Sequence, residues 1–419
     1  MSCHFGILQT RKMSKPTPYD MLVHICCSVD SHYFLSELQK IYPNSKMLGY
    51  FYNPNIHPKE EYDLRLLDVE RSCKMLGVDL IEGEYEIHKW FDDVRGLECE
   101  PEKGKRCVKC FDMRLEKSAQ VAQKMSIHSF TSTLLASPLK EQEILYAEGD
   151  EIACAYGLDF VKINVRSNGG TQAQSVLANK DRLYKQTYCG CQFALNKQRE
   201  KQNQFPLELM SNIGRQIAPD SNEERQLVFA MRDKCECEGV EYILYKHPKM
   251  IWRNLRSLCI KNSEVIGSYV LTHSRSKNMV KTSNITYIKQ SIHIAPFLLQ
   301  ANVLGERLES AKSEVGGSAD VQNVLHKSVS IWLGYARHDD SVFISVEDIN
   351  ALLGTSYHCA QDMVYCPPLY KDELMLRTML CGADSLNPII ILDSRIEDSM
   401  KVFINAHFQE SNVFGIITH

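Results

Sequence analysis

The 419-residue sequence has no long hydrophobic run and no strong excess of charge of either sign. No apolar stretch approaches the roughly 20 residues that a membrane-spanning helix needs, and the N-terminal residues lack the apolar core of a signal peptide. The chain has 48 lysine and arginine residues and 52 acidic residues, which gives a net charge of −4. It therefore lacks the excess of positive charge that is typical of proteins that bind nucleic acids nonspecifically. We therefore expect a cytoplasmic protein with no membrane partner, in which any nucleic-acid contact depends on local basic patches.

Cysteine, in contrast, is abundant, with 16 residues. Because disulfides are rare in the cytoplasm, clustered cysteines there indicate metal binding or redox chemistry rather than a disulfide framework. Three clusters lie in the first half of the chain: Cys26-Cys27, Cys107-x-x-Cys110 and Cys189-x-Cys191.

The length of the chain indicates about two or three domains, and the sequence pattern changes near residue 206. Residues 1–19 lack periodicity and are expected to form an N-terminal arm. In residues 20–205 strand-like and helix-like segments alternate, which favours a parallel sheet with right-handed crossovers. Residues 206–419 show no internal repeat and no recognised catalytic spacing, and we expect a C-terminal α+β domain of unknown role there.

The first cysteine cluster follows an apolar segment of strand length, Met21 to Ile25, and precedes an amphipathic helical segment, Ser31 to Ile41. Both thiols and Asp30 therefore lie in a strand-to-helix turn. In an open α/β sheet such a turn lies at the carboxyl edge, where ligands bind, and the following helix N-terminus favours negative charge. The other elements predicted for this domain are strands over 46–52, 78–81, 128–135 and 159–165 and helices over 59–76, 87–94, 111–125, 138–156, 173–180 and 192–202.

All three cysteine clusters can converge on the same edge of the sheet. Six sulfurs exceed the four ligands of one tetrahedral zinc, whereas four thiolates suit an iron-sulfur cluster and leave two for a second metal or a reversible dithiol. Structural zinc remains the alternative for the Cys-x-x-Cys taken alone. Basic residues around the second and third clusters favour a phosphate-bearing substrate; they are Lys103, Lys105, Arg106, Lys109, Arg114, Arg182, Lys185, Lys197, Arg199 and Lys201.

Five motifs extend these clusters into a pattern that covers about residues 20 to 200. They are His24-Ile-Cys-Cys-Ser-Val-Asp30, Phe51-Tyr-Asn-Pro-Asn-Ile-His-Pro58 with Glu60-Glu-Tyr62, Arg106-Cys-Val-Lys-Cys-Phe-Asp-Met-Arg-Leu115, Thr131-Ser-Thr-Leu-Leu-Ala-Ser-Pro138 and Tyr184-Lys-Gln-Thr-Tyr-Cys-Gly-Cys191. With these motifs the chain resembles the cobalamin-independent epoxyqueuosine reductases of the QueH family. The second half of the chain has no counterpart in the compact members of that family.

The resemblance implies an oxidoreductase that removes the epoxide oxygen of epoxyqueuosine at the tRNA wobble position and gives queuosine, the final step of queuosine biosynthesis. It implies a 4Fe-4S cluster held by Cys26, Cys27, Cys107 and Cys110, and an external electron donor. It further implies catalytic roles for Cys189, Cys191 and Asp30, the two cysteines as a redox-active disulfide pair or all three as ligands of an additional iron. Ser28-Val29 departs from the Ala-Pro of many relatives but leaves the implied ligands intact.

The first strand and its turn also look like those of the pyrophosphatase-loop ATP enzymes, which carry Ser-Gly-Gly-x-Asp-Ser there. Cys26-Cys-Ser-Val-Asp-Ser31 keeps the Asp-Ser ending but lacks the glycines that let backbone amides approach a phosphate. We therefore expect a Rossmann-like α/β fold related to the pyrophosphatase-loop/HUP class and refitted for metal. The alternative functions are an ATP-dependent tRNA thiolase of that class or a related tRNA-modifying enzyme and, third, a binding module with structural zinc.

Overall fold

A computed structural model describes residues 19–138, 140–210, 217–275, 281–294, 327–336 and 341–418. The expected N-terminal arm lies outside these ranges except for Tyr19. The chain forms two compact units. The first comprises the chain up to Leu209 together with Arg225–Tyr245 and the residues from Ile416 onward, and the second comprises Met210–Glu224 and Lys246–Gly415.

The first unit contains a parallel sheet, which confirms the predicted α/β class. Among the described residues it has five strands in the order β3-β2-β1-β4-β5. The central strand is buried at all five positions, and its Val23 lies opposite Gly49 on one side and Thr131 on the other. Because strand order reverses between β1 and β4, a crevice is expected at their carboxyl ends. The strands are β1 Met21–Ile25, β2 Met47–Phe51, β3 Asp79–Glu82, β4 Ser129–Ser132 and β5 Asp159–Phe160.

Helices α1 to α7 follow the predicted order, and α8 comes after them. They are α1 Ser28–Ile41, α2 Lys59–Leu76, α3 Ile87–Asp93, α4 Lys105–Lys124, α5 Gln142–Tyr156, α6 Gly170–Lys180, α7 Gln192–Lys201 and α8 Asn222–Glu238. Three helices begin earlier than the sequence predicts, and α5 begins later, at Gln142 rather than at residue 138. Helix α6 begins at Gly170 rather than at residue 173. Helix α1 begins at Ser28 rather than at residue 31, so Asp30 lies in its first turn, and α4 begins at Lys105 rather than at residue 111, so its two cysteines lie within the helix.

Two predicted strands are shorter in the structure, and side-chain hydrogen bonds explain both differences. The fourth strand ends at Ser132, because the Ser132 side chain accepts a hydrogen bond from the backbone of Leu134 and caps a 3-10 helix. The fifth strand ends at Phe160, and the Thr131 hydroxyl donates to the Val161 carbonyl 2.7 Å away, in place of a continued backbone ladder. The segment after β4 is thereby bent toward the carboxyl edge of the sheet.

The second sheet belongs mostly to the second unit and has eight strands within the described ranges, in the order β7-β6-β13-β9-β10-β11-β12-β8. Strands β9 and β10 pair antiparallel and β11 and β12 pair parallel. The strands are β6 Tyr242–Lys261, β7 Glu264–Ile266, β8 Ser268–Val270, β9 Lys281–Ile294, β10 Lys327–Ala336, β11 Val342–Ser345, β12 Ile389–Leu392 and β13 Ser399–Thr418. The helices are α9 Val346–Leu353, α10 Ala360–Tyr365 and α11 Tyr370–Cys381.

Each unit has its own hydrophobic core. In the first unit, β1 and α1 bury Leu22, Val23, Phe34 and Leu35 together with Phe130 of β4. Burying such side chains contributes roughly 1.5–3 kcal/mol each, so the central strand and the helix that follows it are firmly fixed. The core of the second unit lies between the sheet and helices α9 and α11. Among the described residues, no helix combines the length and the apolar character that crossing a membrane requires.

Candidate metal centre

One cavity of about 130 Å³ lies at the carboxyl edge of the first sheet. This is well above the ~10–15 Å³ of accessible space that one water molecule needs. Seven segments supply its walls: the turn between β1 and α1 with the first turn of α1, the loop after β2, helix α2, helix α3, the first turns of α4, the 3-10 helix after β4 with the residues that follow it, and the loop before α7. All seven site residues proposed from the sequence line it, namely Cys26, Cys27, Asp30, Cys107, Cys110, Cys189 and Cys191.

The first cysteine pair and Asp30 form the tightest group in the cavity. The ligand atoms of these three residues all lie within 4.8 Å of one another. The Cys26 Sγ lies 3.8 Å from the Cys27 Sγ and 3.6 Å from the Asp30 Oδ2, while Oδ1 of the same carboxylate accepts a 2.6 Å hydrogen bond from the Gln174 amide. These atoms are close enough for one metal centre to bind all three.

The electrostatics of this group depend on burial and on a shared proton. The hydrogen bond with the Cys27 thiol lowers the pKa of Cys26 to about 5, and the positive charge of Arg114 acts in the same direction. The same hydrogen bond, together with burial, raises the pKa of Cys27 well above its ordinary value. Burial, followed by the negative charge of Cys26, raises the pKa of Asp30 to about 8. Because metal ligands bind in their deprotonated forms, a metal ion here would displace these protons.

The remaining four cysteines influence one another electrostatically. Burial raises the pKa of Cys107, and the charges of Cys189 and Cys110 raise it further. Burial likewise raises the pKa of Cys191 to about 12, with contributions from the same two thiols. Burial lowers the pKa of Lys140, but the charges of Cys189, Cys107 and Cys110 outweigh that effect and raise it.

The structure brings Asp30 close to the first cysteine pair. The resemblance, in contrast, implied a grouping of Asp30 with the third cysteine motif.

The backbone between Cys189 and Cys191 requires glycine. Gly190 has a φ of +111°, and a Cβ atom there would lie 2.7 Å from Ile56 Cγ1. A side chain at this position would be both strained and crowded. The Gly190 carbonyl also accepts a 2.9 Å hydrogen bond from the backbone of His57. The third cysteine motif is therefore held against the loop that follows β2.

A buried polar row on helix α2 joins the first and third cysteine segments. Glu61, Arg65, Asp68 and Ser72 recur at helical spacing, and each is at most 2% exposed. Arg65 pairs with Glu61 at 2.8 Å and donates to the carbonyls of residues 188 and 189 at 2.9 and 3.1 Å. Asp68 accepts hydrogen bonds from the Ser28 hydroxyl and from the backbone of residue 184, and it pairs with Arg232 of α8. The sequence did not indicate these roles, because a polar row at helical spacing also fits a solvent-facing helix surface.

A second set of contacts holds the end of β1. Arg114 of α4 donates to the Asn53 side chain at 2.6 Å, and Asn53 donates to the carbonyl of residue 25 at 2.8 Å. The Cys26 backbone donates to the Thr133 hydroxyl at 3.2 Å. His24 lies between the Ser132 hydroxyl and the carbonyl of residue 52, and burial followed by the charge of Arg114 lowers its pKa well below the usual range. The His24 ring is therefore neutral.

Only some of the basic residues singled out in the sequence reach the cavity. Arg106 and Arg114 line it, together with Arg65 and Lys140, which the sequence did not indicate. Others have structural partners: Lys197 contacts the carbonyls of residues 99 and 100, and Arg199 pairs with the Glu208 carboxylate. Lys103, Lys105, Lys109 and Arg182 are exposed.

The sequence similarities of the chain agree with this site. The family model described as epoxyqueuosine reductase QueH matches residues 21–197. The epoxyqueuosine reductase QueH of Helicobacter pylori is 37% identical over 405 residues, which cover 95% of this chain and 100% of that protein. The corresponding proteins of Haemophilus influenzae and Thermotoga maritima are each 36% identical, over 45% and 43% of this chain and over 78% and 93% of their own lengths.

One solved structure is distantly similar to the chain. The U34-tRNA thiolase NcsA from Methanococcus maripaludis with its [4Fe-4S] cluster is 16% identical and has a TM-score of 0.27, over 44% of this chain and 68% of that chain. A similarity this low carries no argument about function. The match to the Helicobacter pylori protein, in contrast, covers nearly the whole of both chains. On that similarity, the chain belongs to the epoxyqueuosine reductase QueH family, a family of oxidoreductases.

Proposed function

We propose that this chain converts epoxyqueuosine in tRNA to queuosine, the final step of queuosine biosynthesis. The observation that carries the proposal is the cavity at the carboxyl edge of the first sheet, where six thiols and one carboxylate from distant segments converge. The name of the related proteins supplies the substrate. A tRNA substrate also supports a location in the cytoplasm.

The reaction is a two-electron deoxygenation. Both C–O bonds of the epoxide break, a carbon–carbon double bond forms, and the oxygen leaves as water after taking up two protons. An external donor supplies the two electrons. An iron-sulfur cluster, when bound, would pass these electrons one at a time to the substrate.

The thiols suit such a cofactor. We assign Cys26, Cys27, Cys107 and Cys110 as ligands of a 4Fe-4S cluster, because four cysteine thiolates are its usual ligand set. Buried thiolates need compensating positive charge, and the side chains of Arg65, Arg114 and Lys140, which line the same cavity, supply it.

Asp30, Cys189 and Cys191 are assigned to the chemistry beside the cluster. The two cysteines act either as a reversible disulfide or, with Asp30, as ligands of an additional iron. Where the two cysteines act as a disulfide and Asp30 holds no iron, burial raises the pKa of Asp30 to about 8, so it can give a proton to the departing oxygen. As an iron ligand Asp30 would be deprotonated, and a bound water would relay the proton instead. Its 3.6 Å distance from the Cys26 sulfur supports a role next to the first pair.

The fold supports a relation to the pyrophosphatase-loop class. The strand order 3-2-1-4-5 puts the first strand-to-helix turn at the point where the topology reverses, which is where nucleotide enzymes of open α/β type bind their ligand. In this chain the same turn carries Cys26 and Cys27 in place of phosphate-binding glycines. We infer that the turn between β1 and α1, which binds a nucleotide in that class, binds metal in this chain.

Anaerobic purification and assay test the proposed function. After reconstitution we expect about four iron and four sulfide per chain, as for a cysteine-ligated cubane. With a chemical reductant and without ATP, the protein should convert epoxyqueuosine to queuosine in tRNA, measured by nucleoside analysis after digestion. Stoichiometric zinc without labile sulfide would contradict the cluster, and strict ATP dependence or sulfur in the tRNA would indicate a thiolase.

A further inference from the structure

Four side chains that line the cavity carry buried polar atoms with no hydrogen-bond partner among the described residues. They are Asn55 Oδ1, Trp90 Nε1, Arg106 Nε and Nη2, and Gln186 Oε1. Buried polar atoms are almost always paired, so a group of unpaired ones around a cavity indicates a ligand. We propose that these four residues recognise the modified base of epoxyqueuosine by hydrogen bonds. This inference rests on the proposed function and assigns residues to its substrate.

Arg106 presents one complete edge of its guanidinium group. The side chain is 1% exposed, and its Nη1 donates to the carbonyls of residues 97, 98 and 100 at 3.0, 3.0 and 2.6 Å. These contacts fix the orientation of the guanidinium group and occupy only its Nη1 atom. The Nε and Nη2 donors form the opposite edge, where two parallel N–H groups suit a pair of acceptor atoms on one ligand.

Trp90 adds a third donor close to Arg106. Its ring is 1% exposed and stacks on Phe193 with a centroid distance of 6.0 Å, and the Arg106 guanidinium lies 5.6 Å from the centroid of the same Phe193 ring. A buried indole N–H normally finds an acceptor, yet the Trp90 Nε1 has none in the described protein. Trp90 and Arg106 therefore pack on the same ring, and together they bring three unpaired N–H donors to the cavity.

Asn55 and Gln186 contribute neutral amides. Asn55 is 2% exposed and lies in the loop that packs against Gly190, and Gln186 lies three residues before Cys189. In both, the unpaired atom is the side-chain oxygen, which accepts a hydrogen bond. Three donors together with two acceptors suit a ligand that carries both N–H or O–H groups and acceptor atoms, whereas a bare anion would need donors only. A purine-like base with hydroxylated substituents meets this requirement.

Binding of two tRNAs to the cluster-containing protein tests the inference. The probes are a tRNA that carries epoxyqueuosine and the same tRNA with unmodified guanine at the wobble position, and the quantity measured is the ratio of their dissociation constants. We expect Trp90→Phe and Gln186→Met each to lower this preference about 3–10-fold, and Arg106→Lys about 10–100-fold, as for neutral and charged hydrogen bonds. Intrinsic fluorescence should change on binding in the wild type and not in Trp90→Phe.

Two matched variants control for the loss of the same chemical groups elsewhere. Trp252→Phe removes an indole N–H that donates to the Ser274 carbonyl, and Gln39→Met removes an amide that donates to the Leu76 carbonyl. Both should keep the wild-type preference for the modified tRNA.

Three outcomes separate the possibilities. If the wild type deoxygenates its tRNA but the cavity variants keep the full preference, the inference is wrong and water satisfies these atoms. If Arg106→Lys shifts the cluster's visible spectrum or reduction potential while binding is unchanged, the inference is also overturned, because Arg106 then serves the cofactor. If the wild type itself converts no epoxyqueuosine, the proposed function fails, and the inference fails with it.

Discussion

Replacing Arg65 with methionine tests whether helix α2 positions the third cysteine segment. Arg65 is 2% exposed and Glu61 is fully buried, so Arg65→Met leaves a buried carboxylate without its partner. Breaking such a pair on one side costs about 3–5 kcal/mol in free energy of unfolding. The carbonyls of Tyr188 and Cys189 also lose their guanidinium donors. We therefore expect a protein that is both less stable and less active.

A double variant separates stability from positioning. Adding Glu61→Gln removes the unpaired charge, and a glutamine oxygen can still accept the 2.9 Å hydrogen bond from the Tyr184 hydroxyl. Urea unfolding followed by circular dichroism should show that the double variant regains much of the lost stability. Turnover of epoxyqueuosine tRNA per bound iron should stay low, because the backbone of the Cys189 segment remains without its anchor. The reasoning is refuted if the single variant loses less than about 1 kcal/mol or if the double variant regains wild-type turnover.

Four further predictions concern the cavity and its surroundings. Cys107→Ser should abolish the broad visible absorption of the reconstituted protein, and an unchanged spectrum with full iron content would exclude it as a ligand. Cys189→Ser should abolish turnover and leave most of the cluster, as iron analysis would show; loss of the cluster would make it a cluster ligand. Asp30→Asn should fold and keep its 4Fe-4S cluster but lose any additional iron and at least roughly a hundredfold in rate, so near-normal turnover would reduce Asp30 to a structural residue. Burial lowers the pKa of His57 and His273 to about 4, so the unfolded chain takes up protons below about pH 6.5 that the folded one does not. These two residues should therefore lower the urea midpoint of unfolding as the pH is lowered from about 6.5 to 4.

The architecture of the first unit could be predicted because it depends on local patterns. Alternating apolar runs and amphipathic segments specify parallel strands joined by helices, and the five strands form the expected kind of sheet. The ends of strands and helices were predicted less well, because hydrogen bonds from side chains of other elements determine where they end. The Thr131 hydroxyl donates a hydrogen bond to the Val161 carbonyl, and β5 ends before that residue. The hydrophobic pattern of residues 159–165 does not indicate this early end.

Convergence of the cysteines on one cavity was predictable for a similar reason. Each cluster lies at the start of a helix or next to it, and the carboxyl ends of parallel strands share one edge of the sheet. The environment of Asp30 was not predictable, because it depends on where α1 begins. With the helix starting at Ser28, Asp30 lies one turn after Cys26, and the two side chains approach to 3.6 Å.

The supporting residues could not be predicted because their partners are distant in sequence. Arg65 contacts the carbonyl of Cys189, 124 positions away. A polar row on a long helix has the same spacing whether it faces solvent or a buried loop, so Glu61, Arg65 and Asp68 look like an ordinary charged helix surface. Only the packing of α2 against residues 184–191 shows that the row is buried.

These contacts bear on how variants of this protein are interpreted. Asp68 holds both Ser28, which follows the first cysteine pair, and the backbone of Tyr184, which begins the third segment. Arg65 holds the third segment on the same helix, and neither Arg65 nor Asp68 supplies a thiol. We therefore expect a change at Asp68 to displace two cysteine segments and a change at Arg65 to displace the third, each lowering activity without removing any ligand. Loss of activity at Arg65 or Asp68 is evidence for catalysis only when iron content and stability are unchanged, and the contacts predict that both will change.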